Sequence, residues 1–279
     1  MKTAQTPETP IVLSASRRTD LVSCYPDYLC DKLAGHPPET VHTVVLWTKN
    51  PGNMITPGPL RDALSRYSQL YVHLTVTGLG GSLLEPGIPP WQQTVAMLPA
   101  LVELVKDPRR ISWRFDPILQ AEAGGRRLSN SGLFPAIAEQ VRPSGVTTCR
   151  TSWVQAYRKV LRRLERRGAR LLLPGEDERR SQARELERVA SRLGMTMQYC
   201  SVEGFPRSRC IDGPLLSELH PDGTACSVRK ARGQRTLCGC TESRDLGWYS
   251  LKCPNGCLYC YAEPLLEEPG PAAAADLKK

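Results

Sequence analysis

The segment Cys253-Pro-Asn-Gly-Cys257-Leu-Tyr-Cys260 places three thiols on one short loop, with three residues between the first two and two between the last pair. Thiolates so spaced can ligate three irons of a cubic iron–sulfur cluster and leave the fourth iron open to a small molecule. Zinc is the rival. It would close a structural site with a fourth ligand from elsewhere in the chain, either His220 or Cys226. A second set, Cys200, Cys210, Cys238 and Cys240, offers the four thiols that an auxiliary iron–sulfur cluster or a structural zinc requires. Cys24, Cys30 and Cys149 lie apart from both sets and are expected to be buried small hydrophobes.

A chain of 279 residues can bury a core of ordinary size without covalent help, so its 11 cysteines point to metal ligation before disulfides. The polar stretch Met1–Pro10 has no apolar secretory core, and no apolar run is long enough to span a bilayer. The expected location is the cytoplasm, with no membrane partner. The net charge of +9 favours anionic partners. Much of the excess falls on Arg158, Lys159, Arg162, Arg163, Arg166, Arg167 and Arg170. Val154, Tyr157, Leu161 and Leu164 recur among them at helical spacing, which predicts an amphipathic helix with a cationic outer face.

The elements that must hold these groups alternate between strand and helix. Strands are predicted over Ile11–Ser16, His42–Trp47, Leu70–Val76, Arg110–Phe115, Val146–Thr151 and Met195–Cys200. Helices are predicted over Pro59–Tyr67, Trp91–Lys106, Leu133–Val141, Val154–Arg167 and Glu176–Leu193. That order implies parallel strands with helices outside them, as an open sheet or a barrel.

Alternation along the strands separates two faces. Ile111, Trp113 and Phe115 oppose Ser112, Arg114 and Asp116, and Val72, Leu74 and Val76 oppose His73, Thr75 and Thr77. Met195, Met197 and Tyr199 oppose Thr196, Gln198 and Cys200. A closed barrel would fill its interior with branched apolar side chains, which the second faces lack. The predicted architecture is therefore an incomplete α/β barrel with a polar interior wide enough for a ligand. Polar residues also gather where strands end: Arg17 and Arg18, Lys49, and Arg114 with Asp116. In parallel β/α folds that edge binds substrates, and the guanidinium groups suit a phosphorylated or carboxylate-bearing small molecule. Four segments are expected: a disordered 1–10, a barrel over 11–200, a cysteine-rich segment over 201–262 that completes it, and a disordered tail over 263–279.

The spacing of the C-terminal triplet, with Tyr259 before Cys260, resembles the signature of the radical S-adenosylmethionine superfamily. The resemblance implies a [4Fe-4S] cluster whose open iron chelates S-adenosylmethionine, and an electron donor such as a flavodoxin or ferredoxin. Reductive cleavage would then yield a 5′-deoxyadenosyl radical that acts on substrate. That superfamily carries its cluster loop after the first barrel strand, whereas here the loop lies near the C-terminal end of the sequence. The arrangement is then permuted, with Gly247–Leu251 as the cluster-bearing strand. No Gly-Gly-Glu follows the loop, and Gly80-Gly81-Ser82-Leu83-Leu84-Glu85 is too weak a match to assign.

A wider set of motifs resembles one bacterial family, that of domain of unknown function 1848. These are Ser14-Ala-Ser-Arg-Arg-Thr-Asp20, Trp47-Thr-Lys-Asn-Pro51, Trp113-Arg-Phe-Asp-Pro117, Tyr157-Arg-Lys159, Cys210-Ile-Asp212, Cys238-Gly-Cys240 and the closing Cys253 to Tyr261. The sequence thus leaves two functional readings. One is a radical S-adenosylmethionine-like enzyme using Arg17, Arg18, Lys49, Arg114 and Asp116. The other is a metal-stabilised nucleic-acid-binding module that sets its basic helix on phosphates.

Overall fold

The computed structural model describes residues 9–248 and 250–266. The expected disorder of 1–10 and 263–279 therefore falls largely outside the described residues. Ten strands are described: β1 Ile11–Ala15, β2 Val41–Thr48, β3 Leu70–Thr75, β4 Ile111–Ile118, β5 Gln120–Ala123, β6 Arg126–Ser129, β7 Thr148–Trp153, β8 Ala169–Leu172, β9 Thr196–Tyr199 and β10 Arg244–Asp245. The helices are α1 Leu21–Cys24, α2 Pro26–Ala34, α3 Gly52–Ile55, α4 Pro59–Ser65, α5 Trp91–Ala96, α6 Leu98–Val105, α7 Phe134–Val141, α8 Arg158–Glu165, α9 Glu176–Arg192 and α10 Gly213–Glu218. Among the described residues, no helix is long and apolar enough to cross a membrane.

Seven strands form one parallel sheet in the order β10-β1-β2-β3-β4-β7-β9. Its helix-side face carries Leu13, Val44, Leu46, Val72, Leu74, Trp113, Phe115 and Cys149, packed on side chains such as Leu29, Leu64, Leu101, Phe134 and Leu186. The predicted alternation is met: Trp113 is buried and stacks on Phe134 at 4.9 Å between ring centroids. The helix predicted over Trp91–Lys106 is broken into α5 and α6 at Met97, because Pro99 has no N–H to continue the ladder.

The second face is not the open lumen that alternation alone suggests. Val12, Val45, Trp47 and Tyr71 also point there and pack against Ile211, Leu216, Leu219 and four cysteines of the later segment. Polar side chains of the same face bond to that segment's backbone. His73 Nε2 meets the Cys210 carbonyl at 2.7 Å, and Gln69 Nε2 donates to the Leu216 carbonyl at 2.9 Å. Arg110 Nη2 donates to the Leu219 carbonyl at 2.6 Å. The chain's own residues 208–226 thus fill much of the polar side, and these hydrogen bonds offset the cost of burying both partners. Arg114 and Arg150 remain side by side in register, flanked by Thr75 and Gln198.

A smaller antiparallel sheet, β6-β5-β8, follows the C-terminal end of β4. Its hairpin turns at Gly124 and Gly125, whose φ values of +56° and +70° suit a tight turn that glycine alone adopts readily. This sheet supports α8, which begins at Arg158 rather than at Val154. The helix buries Val160, Arg163 and Leu164, and leaves the expected apolar residues Tyr157 and Leu161 exposed.

Candidate metal centre

β10 brings the cysteine triplet to the C-terminal edge of the sheet. Arg244 and Asp245 pair in parallel with Leu13 and Ser14, and Leu246 N–H donates to the Ser14 carbonyl at 2.8 Å. This corrects the expectation that Gly247–Leu251 forms the cluster-bearing strand. The chain leaves the sheet at Gly247, where any Cβ would lie 2.5 Å from Ser16 Oγ. Thr19 Oγ1 and the Tyr25 hydroxyl then donate to the carbonyls of Leu251 and Lys252, at 2.9 and 2.6 Å. Asp20 is a positioning residue here. It caps Ser23 N–H at 3.0 Å and accepts from Lys49 N–H at 2.7 Å, tying the ends of β1 and β2 together.

The loop over 253–260 lies against residues 84–87, with Leu258 N–H on the Leu84 carbonyl at 3.0 Å. Gly256 sits at φ +63°, with the Leu265 carbonyl 3.3 Å from where a Cβ would stand, so glycine is required at that turn. Arg163 from the basic helix reaches under the loop and donates to the Leu258 and Cys260 carbonyls, at 3.0 and 2.7 Å. Lys159 pairs with Glu263 at 3.1 Å. Two of the seven cationic residues on that stretch are therefore committed to the cysteine loop. Arg163→Ala should loosen it by about 2 kcal/mol, given the strength of hydrogen bonds from a charged donor. A lower denaturation midpoint, with Arg162→Ala unchanged, is the expected readout.

Beneath the loop lies a buried polar cluster in which the expected site residue Lys49 meets Glu85, a residue that sequence reasoning left unassigned. Glu85, only 1 % exposed, accepts from Lys49 Nζ at 2.7 Å and Thr77 Oγ1 at 2.8 Å, and also from the Tyr259 hydroxyl. Lys49 is thus paired with a carboxylate. Burial works against its charge, but Glu85 and Cys257 hold it above the usual lysine value. The aromatic residue before the third cysteine is anchored through its hydroxyl to the strand edge.

The thiols differ in setting. Cys24, expected to be an isolated hydrophobe, instead lies within hydrogen-bonding reach of Cys253, and its Sγ is 3.5 Å from Asn255 Oδ1. That contact lowers Cys253 to about 7. Burial holds Cys257 and Cys260 above the usual thiol value, with Lys49 opposing it at both and the Ala262 N–H opposing it at Cys260. Cys30 and Cys149 pack in the apolar core as expected. His220 and Cys226 cannot supply a fourth ligand to the triplet. His220 lies tilted against His42, with ring centroids 4.5 Å apart, at the opposite, N-terminal end of β2, and Cys226 Sγ lies 3.6 Å from Ser217 Oγ.

Tyr261, half exposed, donates its hydroxyl to the Arg17 carbonyl at 2.9 Å, and the charges of Arg114, Arg17 and Arg18 act on that hydroxyl. Arg17 also lies over the Trp47 ring at 5.6 Å and donates to Gln234 at 3.0 Å. Arg114 pairs with Asp116, which also accepts from Ser152. The Nε atoms of Arg17 and Arg114 are buried without a protein partner, donors that an anionic group would satisfy. The structure thus gathers Arg17, Arg18, Arg114 and Asp116 beside the loop carrying Cys253, Cys257 and Cys260. Among the described residues, no three His, Cys, Asp or Glu side chains converge on one ion-sized point.

The family whose model matches this chain is described as Domain of unknown function (DUF1848), and the match covers residues 35–262. No curated protein and no solved structure matches the chain.

Proposed function

Starting from the premise that the chain belongs to the DUF1848 family, we propose that it is an iron–sulfur enzyme of radical S-adenosylmethionine type. The carrying observation is the parallel pairing of β10 with β1. It sets the Cys253–Cys260 loop where a loop following a strand ahead of β1 would stand. In this reading the sheet is a permuted, incomplete barrel, and Cys253, Cys257 and Cys260 hold a [4Fe-4S] cluster. The bound cluster would supply one electron to S-adenosylmethionine, giving methionine and a 5′-deoxyadenosyl radical.

The chain's own residues bind, orient and exclude water. Glu85 and Lys49 fix the loop through the Tyr259 hydroxyl, and Arg163 fixes its backbone at the Leu258 and Cys260 carbonyls. Arg17, Arg18 and Arg114 offer guanidinium groups to the carboxylate of S-adenosylmethionine or to an anionic substrate. An acidic flavodoxin or ferredoxin fits as electron donor to a chain of net charge +9.

Protein purified without oxygen should be brown and, with dithionite and S-adenosylmethionine, should release 5′-deoxyadenosine and methionine in equal amounts. Cys253→Ala/Cys257→Ala/Cys260→Ala should abolish that release. Colourless protein, or brown protein that leaves S-adenosylmethionine intact, would sink the reading.

A further inference from the structure

We propose that a cavity beyond the C-terminal ends of β7 and β9 binds a small zwitterion of amino-acid size, with Arg179 on its carboxylate and Glu203 on its ammonium group. The cavity measures about 100 Å³, and its lining includes Ser152, Gln155, Arg179, Ser201, Val202 and Glu203. At about 10–15 Å³ for each water-sized group it admits roughly seven to ten of them, enough for a free amino acid and too few for a nucleoside. Its place at the ends of parallel strands is where such sheets bind their ligands.

The two charges that line the cavity are not engaged elsewhere. In the first turns of α9, Arg180 pairs with Glu176 at 2.6 Å, and Glu178 accepts from Gln120 and Gln182, at 3.4 Å each. Arg179, half-buried, forms no ion pair or side-chain hydrogen bond among the described residues, and neither does Glu203. A guanidinium and a carboxylate therefore line one space without pairing with each other. A ligand carrying both signs satisfies both through charge-assisted hydrogen bonds. A simple anion would meet Glu203 and a simple cation would meet Arg179, so the same pair discriminates against single charges.

The neutral groups fit the same ligand. β9 runs through Cys200, whose Sγ lies 3.8 Å from Cys210 Sγ, into a turn at Ser201. Ser201 stands at φ +53°, a left-handed conformation that glycine adopts more readily than any residue with a side chain. Its Oγ is buried and has no partner among the described residues. Serine at this position thus gives up conformational ease and brings an unsatisfied hydroxyl to the cavity, where it can bond either end of the ligand. Ser152 Oγ donates to Asp116 and keeps its acceptor capacity, and that bond sets the cavity next to the Arg114–Asp116 pair. Gln155 Oε1 accepts from the Tyr157 hydroxyl, which leaves its amide N–H groups for a carboxylate.

The test is isothermal titration calorimetry on the full chain at neutral pH, with glycine, L-alanine and L-serine as probes and acetate and methylammonium as single-charge controls. At least one amino acid should bind tenfold or more tightly than either control. Arg179→Ala and Glu203→Ala should each weaken that binding at least tenfold, the loss expected of a hydrogen bond between charged groups, and Arg180→Ala should leave it unchanged. Ser201→Gly, which suits the backbone of the turn, should keep the denaturation midpoint and weaken binding by about two- to tenfold. Binding of none of the three amino acids, acetate binding as tightly as they do, or affinity untouched by Arg179→Ala would each overturn the assignment. The measurement needs neither iron nor turnover, so it holds or fails independently of the radical reading.

Discussion

Trp113→Ala should lower stability by about 3–5 kcal/mol, as expected for deleting a large buried aromatic. Its ring is 1 % exposed, stacks on Phe134 and crosses Phe115 edge-on at 5.8 Å between centroids. Its Nε1 donates to the Val76 carbonyl at 3.0 Å, so truncation also strands a buried acceptor. Arg114, the next residue, points to the opposite face, and its replacement should have the opposite profile. On the proposed reading, Arg114→Ala should keep iron on the triplet and most of its stability, since Asp116 retains Ser152 as a partner. Cleavage of S-adenosylmethionine should nonetheless fall by orders of magnitude, because preorganised charge carries much of what a site contributes. Chemical denaturation and product counting on the two variants decide the matter. If Arg114→Ala unfolds the chain while Trp113→Ala is silent, the faces are assigned backwards.

Glu85→Ala should be the most damaging single change near the cysteine loop. It removes the acceptor shared by Lys49, Thr77 and Tyr259 and leaves the Lys49 ammonium, at 15 % side-chain exposure, without its counter-charge. Removing one partner of a buried ion pair typically costs about 3–5 kcal/mol. The loss should appear both as a lower denaturation midpoint and as poor iron retention, since Tyr259 no longer anchors the loop. Glu85→Ala combined with Lys49→Met should recover part of the stability by removing the stranded charge, but not the anchoring of Tyr259. A Glu85→Ala protein with unchanged midpoint and iron content would show that this cluster supports nothing.

Much of the sheet was legible because its strands repeat with period two over several residues, and Trp113 against Arg114 shows how sharply that assigns a face. β5, β6 and β8 escaped notice because four residues are too few to show a period of two, and β6 in addition carries mostly exposed side chains. The Gly124-Gly125 pair was the signal that could have marked their hairpin. The break at Pro99 was also available in the sequence. Nothing local, by contrast, links Tyr259 to Glu85, 174 residues away, or Arg163 to the Cys260 carbonyl, 97 residues away. Arg163 in particular was one of several arginines in a basic run, and only packing shows that it turns inward. Alternation revealed that the second face was polar, but not that residues 208–226 would cover much of it.

The pairing of β10 with β1 joins residues 231 positions apart, as Ser14 and Asp245 show. At ordinary ribosomal rates of about 5–20 residues per second, β1 waits roughly 10–50 s for its partner. During that time Ile11–Ala15 offers an apolar edge with no neighbour on one side, the kind of edge that invites pairing with another chain. The strand that closes this edge also introduces the last three cysteines. Burial of the nascent sheet's weakest margin and delivery of the triplet therefore belong to one late event in biosynthesis, and a chain stalled before Arg244 would be both aggregation-prone and without its cysteine loop.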